Sequence, residues 1–337
     1  MKMEFDQIMR DLKNKIYHPV YFLQGEEPYF IDRISDQVEH NLLTEGEKSF
    51  NQTVLYGKDT DLLVLLDVLR RYPMMSNYQV VILKEAQDFK GIEKLESYFR
   101  NPMKSTIFVV CHKHKTIRKG TNFQKMVEKE SAFYTSERLY DNQLPAFIES
   151  AAKNAGVHID SKAVMLLAEY LGNDLSKIAM ELTKLELNVP RERAITPADI
   201  EKFIGISKEY NSFELVHAIA AHNTEKAFRI SDYLIRNPKD NPPVLIIGAL
   251  YSFYSKAYLY MAQNLRMVQK DFELQGKMGV NKFMLQDLRS YGNHYSLDQA
   301  EKAIELLQEY DLKFKGVNAT GSAKEELLTE MVFRLMN

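Results

Sequence analysis

Residues 79–86 read QVVILKEA and residues 106–112 read TIFVVCH. Each holds four successive apolar residues, Val80 to Leu83 and Ile107 to Val110, with no polar alternation. A strand half-exposed to water alternates, whereas one covered on both faces does not. Both runs are therefore expected at the centre of a sheet. Outward from them, PVYFLQ at 19–24, NQTVLYG at 51–57 and SAFYTSERL at 131–139 are further β-rich runs, and helical patterns separate them. Such alternation predicts a mainly parallel sheet wrapped by helices.

After Asp141 the β signal stops. In LGNDLSKIAMELTKLEL (171–187), Leu175, Ile178, Ala179, Leu182 and Leu185 recur at helical spacing and place charges on the opposite face. ITPADIEKFIG (195–205) offers Thr196 as N-cap, Pro197 at the first helical position and Asp199 in the first turn. Five further helical segments follow, among them the aromatic-rich PVLIIGALYSFYSKAYLYMAQ (243–263). The prolines of NPKDNPP (237–243) read as a turn within that region. A chain of 337 residues exceeds what one hydrophobic core holds. The expected organisation is an α/β domain over 1–141, a small helical domain over 142–207 and an all-α domain over 208–337.

A formal net charge of −2 is not that of a protein that grips DNA unaided, so contact with nucleic acid should be local or shared with partners. The single cysteine, Cys111, excludes a disulfide framework and a cysteine zinc ribbon, and fits a reducing compartment, the cytoplasm. No run of eighteen apolar residues or signal-peptide pattern is present, so a protein neither exported nor membrane-spanning is expected.

A parallel sheet followed by helices is the layout of P-loop ATPases. A phosphate loop needs G-x-x-x-x-G-K-[ST], whose backbone amides cradle phosphates while the lysine neutralises their charge. The loop after the first strand reads Gln24-Gly25-Glu26-Glu27-Pro28, with one glycine, two carboxylates and no lysine. A tight strand-to-helix turn is the simpler reading. Cys111, His112 and His114 lack a second ligand cluster for a metal. Asp59 and Asp61 precede LLVLLDVLRR, where helix capping accounts for them. Neither H-E-x-x-H nor G-x-S-x-G occurs, so catalysis has no visible home. The basic stretch Lys113, Lys115, Arg118, Lys119 and Lys125 reads as a solvated face, with only Phe123 as an interleaved aromatic. Lys313 and Lys315, before the terminal helix, are a weak DNA-contact candidate.

Between the helical pattern ending at Arg71 and the strand beginning near Gln79 stands Tyr72-Pro73-Met74-Met75-Ser76-Asn77. Pro73 should stop the helix, and Ser76-Asn77 are turn formers, so two methionines sit at a helix-to-strand corner. Two readings are open. The methionines plug the domain's own core, or their flexible, polarizable side chains dock in a pocket of another protein.

The run RYPMMSNYQVVIL (71–83) resembles the clamp-binding element of the delta subunit of the bacterial DNA polymerase III clamp loader. VYFLQGEEPYF (20–30) is similar to that family's opening strand and degenerate nucleotide loop. Gly172-Asn173-Asp174-Leu175, followed by Glu181, Leu182, Lys184 and Leu185, matches its second-domain pattern, and Glu325 to Met331 its last helix. The resemblance implies an AAA+-like α/β domain without a functional P-loop, then a helical lid and a helical collar for oligomerisation. It implies a non-catalytic subunit of the DNA-directed DNA polymerase III holoenzyme, which binds and opens the sliding clamp (beta) for loading onto primed DNA. Tyr72, Pro73, Met74 and Met75 would bind the clamp. The chain itself would bind no cofactor; ATP and Mg would be acted on by partner subunits, gamma/tau and delta prime. Primed DNA would be met through the assembled complex, and no membrane is implied. The alternatives are a nucleotide-binding enzyme with an unusual loop, and a generic nucleic-acid-binding or scaffold protein with an ATPase-like fold.

Overall fold

A computed structural model describes residues 1–205, 210–238, 241–268, 270–317 and 324–337. The chain divides into two compact units, Met1–Leu139 and Tyr140–Asn337. The boundary expected at 207 lies outside the described residues.

The first unit is built on five strands: β1 (Val20–Gly25), β2 (Gln52–Tyr56), β3 (Gln79–Lys84), β4 (Thr106–Lys113) and β5 (Ala132–Ser136). Their order is β2-β3-β4-β1-β5, and every neighbouring pair is parallel. The unalternating runs lie where doubly covered strands must, β4 in the middle with β3 beside it. The strand period of two divides the sheet into two cores. Phe22, Val81, Phe108, Val110 and Phe133 face the helices Leu62–Leu69, Glu96–Arg100 and Asn122–Glu130. Tyr21, Leu23, Ile82, Val109 and Cys111 face Phe5–Lys13 and Pro28–Asn41.

One element differs from its sequence reading. The strand expected from residue 51 begins one residue later, and a helix, Glu45–Asn51, leads into it. Thr44 and Glu47 form a capping box at the helix start, with the Thr44 backbone N–H donating to Glu47 at 2.9 Å. That reciprocal pair sustains a seven-residue helix that carries a glycine, Gly46, in its first turn.

The strand-to-helix turn after β1 is tightly constrained. Gly25 has φ of +136°, and a Cβ there would lie 1.9 Å from the Ser136 carbonyl oxygen. The Glu26 N–H donates to that carbonyl at 3.0 Å, and the Ser136 hydroxyl donates to the Glu27 carbonyl at 2.7 Å. Only a residue without a side chain permits β5 to close on β1 in this way.

The second unit is helical among its described residues. Thr196 caps Pro197–Ile204 as its sequence indicated, and Asp199 accepts from both the Thr196 N–H and hydroxyl. Arg193 grips the same carboxylate through two nitrogens, each at 2.6 Å. Those guanidinium bonds hold the Asp199 carboxyl well below the usual carboxylate range. The helix Pro243–Ala262 is long and apolar enough to cross a membrane by length and composition. Here Ile246, Leu250, Phe253, Tyr254, Ala257 and Tyr260 are buried in the unit's core, against Leu288, Tyr291, Leu307 and Tyr310.

Gly25→Ala should destabilise the first unit by about 3 kcal/mol or more, read as a lower urea midpoint, because the added methyl meets backbone and the φ is hostile to L side chains. Burial pushes the Cys111 thiol up to about 12. Iodoacetamide should therefore leave native protein unlabelled at pH 7 and modify one thiol per chain after unfolding.

Candidate partner-docking corner

The helix Leu62–Leu69 starts on Asp61, whose carboxylate accepts from the Leu63 N–H at 2.8 Å; capping, as expected, is its role. Leu65, Val68 and Leu69 bury one face of this helix in the sheet's core. Its last carbonyls have no partner within the helix and find them on the sheet. The Gln79 amide donates to Val68 O at 2.8 Å, and the Thr106 hydroxyl to Leu69 O at 3.2 Å. The helix end is thereby pinned to the starts of β3 and β4.

Between this pinned end and β3 the chain turns outward. Tyr72 is 78% exposed, Met74 60% and Met75 fully exposed, while Pro73 is half-buried. The methionines are not core residues, so the first of the two sequence readings is excluded. The helix leading to them adds exposed Leu63 and Val64. Asp67 and Arg71 form a solvent-exposed ion pair at 3.0 Å beside this apolar group.

The corner is held from the side by a residue that sequence reasoning missed. Parallel pairing of β2 with β3 sets Gln52 opposite Val80, which brings Asn51 beside the corner. The buried Asn51 side chain accepts from the Met74 N–H at 2.6 Å and donates to the Met74 carbonyl at 2.9 Å. It also donates to Glu47 O at 3.1 Å. Hydrogen bonds from the Thr44 hydroxyl and N–H hold the Glu47 carboxyl below its usual value. Phe50, next to Asn51, is 71% exposed. The signal for this bracket was Thr44-x-x-Glu47, a capping box that announces the short helix.

At the opposite, C-terminal end of the sheet, the loop after β1 is built as a turn. Pro28 opens the next helix without an N–H, and the buried Glu27 carboxylate caps it by accepting from Tyr29 N at 3.0 Å. A carboxylate thus holds the helix N-terminus that would otherwise favour an anion. Lys113, paired in register with Gly25, is bound to Asp32 at 2.7 Å and Glu85 at 3.1 Å. Burial acts to lower its pKa, but the two carboxylates outweigh that and raise it.

The remaining candidates are separated or engaged. Cys111 and His112 point to opposite faces of β4, since Cys111 lies in one core while His112 stacks on Phe22 in the other. Burial lowers the pKa of His112, whose Nδ1 lies 3.0 Å from Lys115 O. Asp36, Glu39 and His40 lie close enough to share a cation, yet Glu39 is paired with Lys84 at 2.7 Å. Lys313 pairs with Glu309 at 2.7 Å and covers the Tyr310 ring; Lys315 pairs with Asp311 at 2.6 Å. Residues 318–323, which follow in the sequence, lie outside the described residues.

A family model described as DNA polymerase III, delta subunit matches residues 21–136, and one described as DNA polymerase III delta subunit, C-terminal domain matches residues 209–335. The chain is similar to DNA polymerase III subunit delta of Bacillus subtilis, 24% identical over 98% of this chain and 95% of that protein. It is similar also to probable DNA polymerase III subunit delta of Aquifex aeolicus, 23% identical over 87% of this chain and 85% of that one. Among solved structures, the Bacillus subtilis DNA clamp loader delta protein matches with a TM-score of 0.64 at 20% identity, covering 99% of both chains. With both delta-subunit models matched in order and relatives spanned almost end to end, this chain belongs to the DNA polymerase III delta subunit family.

Proposed function

We propose that this chain binds a sliding clamp through Tyr72, Pro73, Met74 and Met75 and opens it for loading onto primed DNA. The observation that carries this reading is the exposed Met74-Met75 pair, presented from a corner whose flanks are pinned to the sheet. A fully exposed methionine beside an exposed tyrosine gains from leaving water. Burial of each methionine in a partner's pocket contributes roughly 1.5–3 kcal/mol by area. A closed ring yields only to a protein that prefers its open form, so contacts by Leu63 and Val64 would supply the differential part.

In this reading the first unit is an AAA+-like domain whose phosphate loop has become a turn, residues 142–207 are a lid and residues 208–337 a collar. The collar assembles with gamma/tau and delta prime subunits, which act on ATP and Mg in the cytoplasm. The chain itself is non-catalytic, and it meets primed DNA within that assembly. Glu27 at the helix N-terminus and the engagement of Lys113 by Asp32 and Glu85 support the absence of a nucleotide site.

Purified chain should bind the sliding clamp of its own organism without ATP, and the Met74→Ala/Met75→Ala variant should bind at least about a hundredfold more weakly by surface plasmon resonance while melting like wild type. Failure of the folded wild type to bind would overturn the proposal and favour a scaffold with another partner. Titration calorimetry with MgATP on the isolated chain should give no heat of binding; a saturable isotherm would instead support a nucleotide-binding enzyme.

A further inference from the structure

Met75 has a φ of +54°, the left-handed region that a residue with a side chain adopts only at a cost. A strained residue persists only where its surroundings impose it, and such strain clusters at sites of function. Met75 is fully exposed, so its own side chain does not impose the conformation. The constraint lies one residue earlier, where Asn51 engages both the N–H and the carbonyl of Met74. Asn51 is almost completely buried and tied to Glu47 O, so its amide cannot follow the loop if the loop moves.

We propose that Asn51 is the positioning residue of the docking corner: it fixes the Met74 backbone so that Met74 and Met75 meet a partner already ordered. The inference rests on the docking reading above and deepens it. A loop ordered before contact loses less conformational freedom on binding than one ordered by the partner. The short helix Glu45–Asn51, otherwise an idle prelude to an edge strand, acquires a purpose as the rigid base of this bracket. Thr44, whose hydroxyl and N–H both donate to the Glu47 carboxylate, fixes the start of that helix.

Two measurements on the full chain test this separately from the docking reading. In amide exchange by NMR on the free protein, the Met74 N–H should exchange at least about tenfold more slowly than those of Met75 and Asn77, as an amide bonded to a buried acceptor does. Equal rates in wild type would overturn the bracket whatever the clamp does. In clamp binding, Asn51→Ala should weaken affinity roughly tenfold, through re-imposed loop ordering. That loss should vanish when Asn51→Ala is added to Met74→Ala/Met75→Ala, since a bracket has no effect without the side chains it presents. An undiminished loss in that background would mark a general structural role and sink the proposal. Should Asn51→Ala not fold, Thr44→Ala, which loosens the cap of the helix that carries Asn51, is expected to give the same non-additive pattern at about threefold, and additivity would count against it. Absence of binding by wild type would overturn the docking reading and this inference together, whereas the exchange result would still report whether the bracket exists.

Discussion

Parallel strands cannot be joined by tight hairpins; each return of the chain must cross a face of the sheet, and this constraint organises the first unit. The crossing helices cover both faces, which is why β3 and β4 are apolar without alternation. It also collects the connecting segments at two ends. The turn after β1 lies at the carboxyl end of the strands, where open parallel sheets ordinarily hold ligands. The methionine corner and the Glu45–Asn51 helix both lead into strands and so lie at the amino end.

The two ends have opposite characters. At the carboxyl end the backbone is closed: Ser136 packs against Gly25, Glu27 caps the following helix, and Lys113 is held by two acids. The groups named there set three carboxylates against one ammonium, a charge that opposes an incoming phosphate. At the amino end the backbone is pinned while the side chains are free. Gln79 and Thr106 hold the end of the helix Leu62–Leu69, Asn51 holds Met74, and the apolar groups of Tyr72, Met74 and Met75 extend into water. Rigid backbone with unsatisfied apolar side chains is the arrangement a docking surface requires.

Much of this was legible in the residues. The strand positions follow from uninterrupted apolar runs, the caps at Asp61 and Thr196 from side chains that compete for backbone N–H groups, and the turn at Gly25 from the lack of a second glycine and a lysine. The helix Glu45–Asn51 was overlooked because EGEKSFN has no apolar stripe; its stability comes from the Thr44–Glu47 box and from Asn51 reaching across to Met74. The aromatic residues of Pro243–Ala262 show the same limit. Phe253, Tyr254 and Tyr260 are core while Tyr251 is exposed, a division that depends on which helices pack around them.

The sequence by itself determined the class of the sheet, the change to helices after it and the place of the methionine corner, because periodicity and proline act through neighbours in the chain. Whether those methionines face inward or outward, and what holds them, was decided only by tertiary structure. The register that sets Gln52 opposite Val80 brings Asn51 to Met74 across 23 residues, and Leu65, Val68 and Leu69 enter the core while the methionines do not. Contacts between distant segments carry no local signature, so the side chain that fixes the corner is an asparagine that composition alone would assign to a turn.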